Sequence, residues 1–372
     1  MARGSAARDR AGTTVEFRIG YNGEQAGAAG SRGPAYHPGK HCMQQMNHWE
    51  RVQAAIAGEE VDRPPIALWR HFPDDDQYVD KLAAHTLAWQ DRWQFDLVKF
   101  MPPGTYGVED WGAVSAYRGA PNGTRVVVKP AVVRAADWRN IRDLDVRQGS
   151  YGRQNQALAA VAEKLDGTVP ILQTVFSPLT TARKLATEAL FADLRRAPDA
   201  LEQALQVITG VTIRFALDAL QAGAHGVFFA TQLASFRSLS AAEYERFGKT
   251  FDLQVLAALA GKTRLSMLHA HGDDIMFDLL AAYPVEMMNW HDRLTEPDLR
   301  AAATRFPGLL VGGLNEHGAL LGDDPGAIAN EIRDAIEQTH GRRLMLGPGC
   351  GMPLAVSAAS IAAAMRAVRE AA

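Results

Sequence analysis

With two cysteines in 372 residues, Cys42 and Cys350, the chain has no material for a disulfide framework. Thiols this scarce suit a reducing, cytoplasmic compartment, and a thiol kept there needs its own chemical reason. Every apolar run is broken by charge, Gly or Pro before it could span a bilayer, so no membrane segment is expected. The formal net charge of −3 gives no electrostatic ground for nucleic acid or an anionic membrane as partner. Hydrophobic periodicity is also missing from the first forty or so residues, which are rich in Gly, Ala, Ser and Arg and lack the apolar h-region of a secretory signal. Such a stretch cannot bury enough to offset its ordering entropy. Residues 1–42 therefore read as an extension, and residues 43–372 as the domain, opening at Met43 or Met46.

What is present is an ordinary globular composition, 47% hydrophobic and 22% charged, with a strict alternation of short apolar runs and longer helical patterns. Strands are expected at 66–69, 95–101, 170–175, 225–230, 265–269, 285–290, 309–314 and 344–347, with helices between them. After the second strand, 114–117 and 125–129 flank Pro121-Asn122-Gly123 and predict a β-hairpin, followed by helical segments at 137–142 and 151–165. Asp199, Ser240, Asp274 and Asp324 stand where helix N-caps should fall. Eight strand–helix units predict a (β/α)8 TIM barrel with a hairpin and helical excursion. No Gly-rich dinucleotide fingerprint follows the first strand, which counts against the open doubly wound alternative.

In such a barrel the loops after the strands converge on one mouth, so polar residues there read as functional. They include Arg70, His71, Tyr106, Thr174, Thr231, His269, His271, Asn289, His291, Asp292, Asn315, Glu316, His317 and Cys350. The sharpest group is His269-Ala270-His271-Gly272 after the fifth strand and Gly349-Cys350-Gly351 after the eighth. A His-x-His pair leaving a strand projects both rings to one side of the chain. Two imidazole nitrogens and a thiolate form a borderline-soft set that suits Zn2+ with a fourth position open. The competing reading is that the histidines only hydrogen-bond at the rim and Cys350 is a small buried hydrophobe.

Residues Glu50 to Pro65, the Phe95-Asp96-Leu97-Val98-Lys99 run, the His269–Gly272 turn and the Gly347–Pro353 loop resemble the uroporphyrinogen decarboxylase superfamily from about residue 47 to the end. Its heme-pathway decarboxylases carry two arginines in the first loop and an aspartate after the second strand. Here that loop reads Arg70-His71-Phe72-Pro73-Asp74, and the strand runs into Met101-Pro102-Pro103. Both features look depleted. The other branch, corrinoid- and thiol-dependent methyltransferases, binds zinc through His-x-Cys and a distant Cys. His269 matches the first ligand and Cys350 the last, with His271 standing where the first Cys would be.

The resemblance implies a zinc-dependent methyltransferase moving a methyl group between a small thiol or O-methyl substrate and cobalamin carried in trans on a corrinoid protein. The His-for-Cys change makes the site harder and opens it to an oxygen substrate. Arg70 is the expected partner of a substrate carboxylate or sulfonate, unless it pairs with Asp74. His71, Tyr106, Asn289, Asp292 and Asn315 are expected substrate contacts, and Glu316 and His317 an acid/base pair or a fourth ligand. Trp69, Tyr106, Trp111 and Trp290 either wall a pocket or belong to the core. A homodimer is implied by the decarboxylase branch. The rival readings are a metal-independent decarboxylase or lyase of a porphyrinogen-like or smaller polycarboxylate, and a non-catalytic barrel that docks a corrinoid protein.

Overall fold

Parallel pairing of short, buried and mostly apolar strands organises the chain. The computed structural model describes residues 45–371, so the expected extension and Cys42 lie outside the described residues. The first strand, β1, is Val98–Phe100. The predicted hairpin follows as antiparallel β2 (Val114–Tyr117) and β3 (Arg125–Lys129). Parallel strands then resume with β4 (Ile171–Phe176), β5 (Gly226–Thr231), β6 (Met267–Ala270), β7 (Met287–Trp290), β8 (Leu309–Leu314) and β9 (Leu344–Pro348). They form one curled seven-stranded sheet in the order β1-β4-β5-β6-β7-β8-β9. All seven are buried along their whole length, as a parallel sheet covered on both faces requires.

The strand expected at 66–69 is a single bridge instead, Ile66 to Leu346. Around it Ala67 N–H donates to Leu346 O (3.0 Å), Leu346 N–H to Pro65 O (2.8 Å) and Asp96 N–H to Ile66 O (2.9 Å). Pro64 and Pro65 supply no N–H, so a ladder cannot start there. Other expectations are corrected locally. Asp199 is not a cap, because the helix Pro198–Gln221 starts one residue earlier on its own proline. Asp274 sits at φ 50° two residues before the N-cap Met276 of the next helix, and its N–H donates to Thr295 Oγ1. The helix expected over 241–260 contains a π-helical turn, Glu245–Lys249. Ser240 and Asp324 do cap, each accepting from backbone N–H groups of the first turn. Among the described residues no helix is long and apolar enough to cross a membrane.

A buried ion cluster ties the N-terminal helix, His48–Ala57, to the entry of the sheet. The Asp96 carboxylate, fully buried, accepts from Arg51 Nη1 (2.6 Å), Arg63 Nη1 (2.7 Å) and Ile66 N–H (2.9 Å), with His48 Nδ1 at 2.9 Å. Arg51 is shared with Asp62 at 2.7 Å. Burial works against the charge on Asp96, but hydrogen bonds from His48 and Arg63 and the charges of both arginines pull its pKa down to about 2.

Removing one partner of such a cluster strands the others. Asp96→Asn is expected to lower unfolding free energy by about 3–5 kcal/mol in urea titrations at pH 7. Because the folded pKa lies below the ordinary 3.8, the ionised cluster stabilises above about pH 4 and its contribution fades as pH falls toward 2. The variant should show less of this acid leg than the parent.

Candidate metal centre

Strand register brings the site together. β6 lies between β5 and β7, with His269 level with Ala230 on one side and Asn289 on the other. His269 Nδ1 meets Asn289 Oδ1 at 2.7 Å, and Asn289 Nδ2 donates to Val311 O (2.9 Å) and Pro348 O (3.0 Å). With both amide hydrogens so engaged, the Asn289 oxygen can only accept, which puts the His269 proton on Nδ1 and leaves Nε2 free to ligate. Two residues on, His271 has its N–H anchored on Thr231 O (3.0 Å).

Cys350 arrives from the loop after β9. Its Sγ lies 3.6 Å from His271 Nδ1. Ligand atoms of His269, His271 and Cys350 all fall within 4.8 Å of one another. Close approach depends on Gly349, where a Cβ would stand 2.8 Å from His291 Cα. Burial opposes ionisation of the Cys350 thiol, but the His271 charge and the contacts of His269, His271 and His291 hold it well below its ordinary value.

A third histidine completes the cluster. His291 Nε2 is 3.3 Å from His271 Nδ1, and His291 Nδ1 is 3.2 Å from Glu316 Oε1. The other Glu316 oxygen accepts from Gly349 N–H (3.0 Å), and Glu316 is buried. Burial depresses the His291 imidazolium, yet Cys350 and Glu316 together lift it to about 10. Two nitrogens and a thiolate in reach of one point, a tautomer fixed from behind and an ionised sulfur fit a soft divalent cation such as zinc. The ligand set thus meets the chemistry such an ion needs.

The site opens into a cavity of about 290 Å³ lined by His71, Lys99, Lys184, His269, His271 and Cys350, with Trp69, Phe176 and Phe228 among its walls. The model description "Uroporphyrinogen decarboxylase (URO-D)" matches residues 47–371. The chain belongs to the URO-D family. Two relatives are both named methylcobamide:CoM methyltransferase MtbA. The Methanosarcina acetivorans protein is 19% identical over 318 residues, covering 82% of this chain and 92% of its own length. The Methanosarcina mazei protein is 21% identical over 242 residues, covering 60% and 70%. A solved methyltransferase from Methanosarcina mazei superposes with TM-score 0.74 at 22% identity, over 88% of this chain and 99% of that one. Within the URO-D family the similarity falls on the corrinoid methyltransferase branch.

On this URO-D scaffold the other predicted residues disperse. His71 faces the cavity, its pKa pushed down to about 3 by burial and by Lys99. Arg70 lines a separate recess beside Phe72 and Trp89, with its Nε lacking a hydrogen-bond partner, and no Asp74 pairing is formed. Tyr106 is buried and donates to Thr174 O (2.7 Å). Asp292 accepts from Gly313 N–H (3.0 Å), and burial raises its pKa to about 7. Asn315 accepts from His317 N–H (3.0 Å), while the His317 residue is exposed. Trp290 is core and Trp69 lines the cavity. Of the expected acid/base pair, only Glu316 reaches the cluster, through His291.

Sequence reasoning gave no role to Lys99 or Lys184, and counted His291 only among the polar strand-end residues. Lys99 had a weak signal, a cation between Val98 and Phe100 in the second expected strand, where Asp96 is the other charge. Lys184, in the last turn of the helix Pro178–Ala186, had none. Burial pulls the Lys99 pKa from 10.5 down to about 7 and that of Lys184 to about 8. A base whose folded pKa is depressed destabilises the fold fully below that pKa, and the penalty fades as pH rises toward its ordinary value. Lys99→Met should therefore raise Tm at pH 7, with the gain shrinking as scans are repeated toward pH 10.

Proposed function

We propose that the chain is a zinc-dependent methyltransferase that moves a methyl group between a small thiol or O-methyl substrate and a corrinoid held by a separate protein. The carrying observation is the convergence of His269, His271 and Cys350 within 4.8 Å beside a cavity open to substrate. The names of the relatives support the corrinoid half of the reading. We read the Ile66–Leu346 bridge as the eighth stave of a (β/α)8 barrel, with the corrinoid protein approaching its mouth.

Zinc bound there would supply Lewis acidity, lowering the pKa of a substrate thiol or polarising a methyl-ether oxygen, while the corrinoid donates or accepts the methyl group. The protein's own residues do the positioning. Asn289 presents His269 Nε2 toward the ligand point by holding its Nδ1 proton. Glu316 braces His291 next to Cys350 and His271, where the imidazole can hold a proton for a departing or arriving substrate atom. Trp69, Phe176 and Phe228 give the cavity apolar walls against which the body of a substrate can pack. Contacts with His269, His271 and His291 hold the Cys350 thiol well below its ordinary value, which favours the thiolate that a cation needs.

Purified protein is expected to contain one zinc per chain by elemental analysis, and Cys350→Ala to contain almost none. Asn289→Ala should weaken zinc binding about 10–100-fold in chelator competition. Methyl transfer, followed by the absorbance change of methylcobalamin with thiol or O-methyl acceptors and donors, should vanish with the metal. Full activity in metal-free protein, or release of CO2 from a polycarboxylate in place of methyl transfer, would replace this reading with the decarboxylase one.

A further inference from the structure

Two ammonium groups line the same cavity as the histidine–cysteine cluster, and neither has a carboxylate to meet it. Lys99, the middle residue of β1, is 9% exposed. Its Nζ touches the Met101 thioether and lies 4.5 Å from the centroid of the Phe228 ring. Lys184 Nζ lies 4.4 Å from the centroid of the Phe176 ring. Among the described residues no carboxylate comes within salt-bridge distance of either lysine. Desolvating an ammonium without a carboxylate partner costs more than a ring face returns, and this applies fully to buried Lys99 and in part to half-buried Lys184. The resident residues leave this pair uncompensated.

The metal ligands do not balance it. Cys350 brings one negative charge, and His269 and His271 bring none when they ligate, so a divalent cation would leave the cluster positive as well. Compensation must come from what enters the cavity. The remaining polar lining, Thr174, Gln232, Asn122 and Thr124, is uncharged. The volume, about 290 Å³, is at the small end of ligand pockets, which run from roughly 300 Å³ upward, and suits a small organic molecule. Phe176 and Phe228 present flat apolar faces directly beneath the two ammonium groups.

We propose that Lys99 and Lys184 form an oxyanion subsite that takes the carboxylate or sulfonate of a small organic substrate whose other end reaches toward His269, His271 and Cys350. The inference rests on the methyltransferase reading for what happens at the far end, and on the lysine pair alone for the anion. It moves the recognition of the substrate's acid group from Arg70, which faces another recess, to residues on β1 and on the helix after β4. The apolar body of the substrate lies against Phe228 and Phe176, and the charge selects against neutral analogues of the same shape.

Calorimetric titration with ethanesulfonate, benzoate and 4-methoxybenzoate, each set against a neutral match such as benzamide or methoxybenzene, tests this. The acids should bind the unaltered chain at least about tenfold more tightly than the neutral probes, the scale of one charge-assisted hydrogen bond. Lys99→Met and Lys184→Met should each remove most of that preference. Cys350→Ala should keep it, which separates the subsite from the metal: preference retained in that variant supports the subsite even if no zinc is ever found. Equal binding of charged and neutral probes by the unaltered chain would overturn the proposal. So would an acid preference untouched by both lysine substitutions. The comparison on the unaltered chain holds even if a variant fails to fold.

Discussion

The pairing register of β6 with β7 governs everything at the mouth of the sheet. It sets His269 level with Asn289, and Asn289 in turn is fastened to main-chain carbonyls of β8 and of the residue ending β9. Four consecutive strands thus fix one imidazole proton. Slippage by one residue would turn the His269 ring to the other face of the sheet and leave the Asn289 amide without its acceptors. Cys350 depends on the same frame, because β8 and β9 pair through Gly313–Gly347 and Leu314–Pro348 before the loop delivers the sulfur.

Two separate chemistries lie inside the one stretch of sequence that resembles the family. The Glu50–Pro65 segment and Asp96 build a buried ion cluster at the entry of the strands, where Arg51 and Arg63 share a single carboxylate. Lys99, three residues beyond Asp96, stands at the opposite end of the same segment and faces the cavity. The arginines are paired and the lysine is not. That contrast distinguishes charges that hold the chain together from a charge left for a ligand, and it needs coordinates to be seen.

Much of the architecture was legible because parallel strands buried on both faces are short continuous apolar runs, and their helices are amphipathic. The hairpin at 114–117 and 125–129 was placed to the residue, since its turn chemistry is local. The 66–69 strand misled because its apolar residues carry the right pattern while Pro64 and Pro65 remove the donors a ladder needs. At the site, the His-x-His and the Gly-flanked Cys were visible because they sit at strand ends. Glu316 and His317 are adjacent in sequence, yet one is buried against His291 and the other is exposed, a difference set by loop direction rather than by residue type. Lys184 was invisible for the opposite reason, as a surface-like residue in the last turn of a helix, which the fold nonetheless turns toward the cavity.

The cavity is electrostatically costly to the folded chain. It holds two lysines with depressed pKa values, a histidine kept neutral by burial and a thiol held ionised, while Asp292 close by is lifted to about 7. Hydrophobic residues of similar volume at 99 and 184 would pack against Phe228 and Phe176 without that penalty. Groups shifted together around one pocket follow the pattern of a site organised around a reaction rather than around the fold. The Asp96 cluster shows what this chain does when it buries charge for stability: every charge there has a partner.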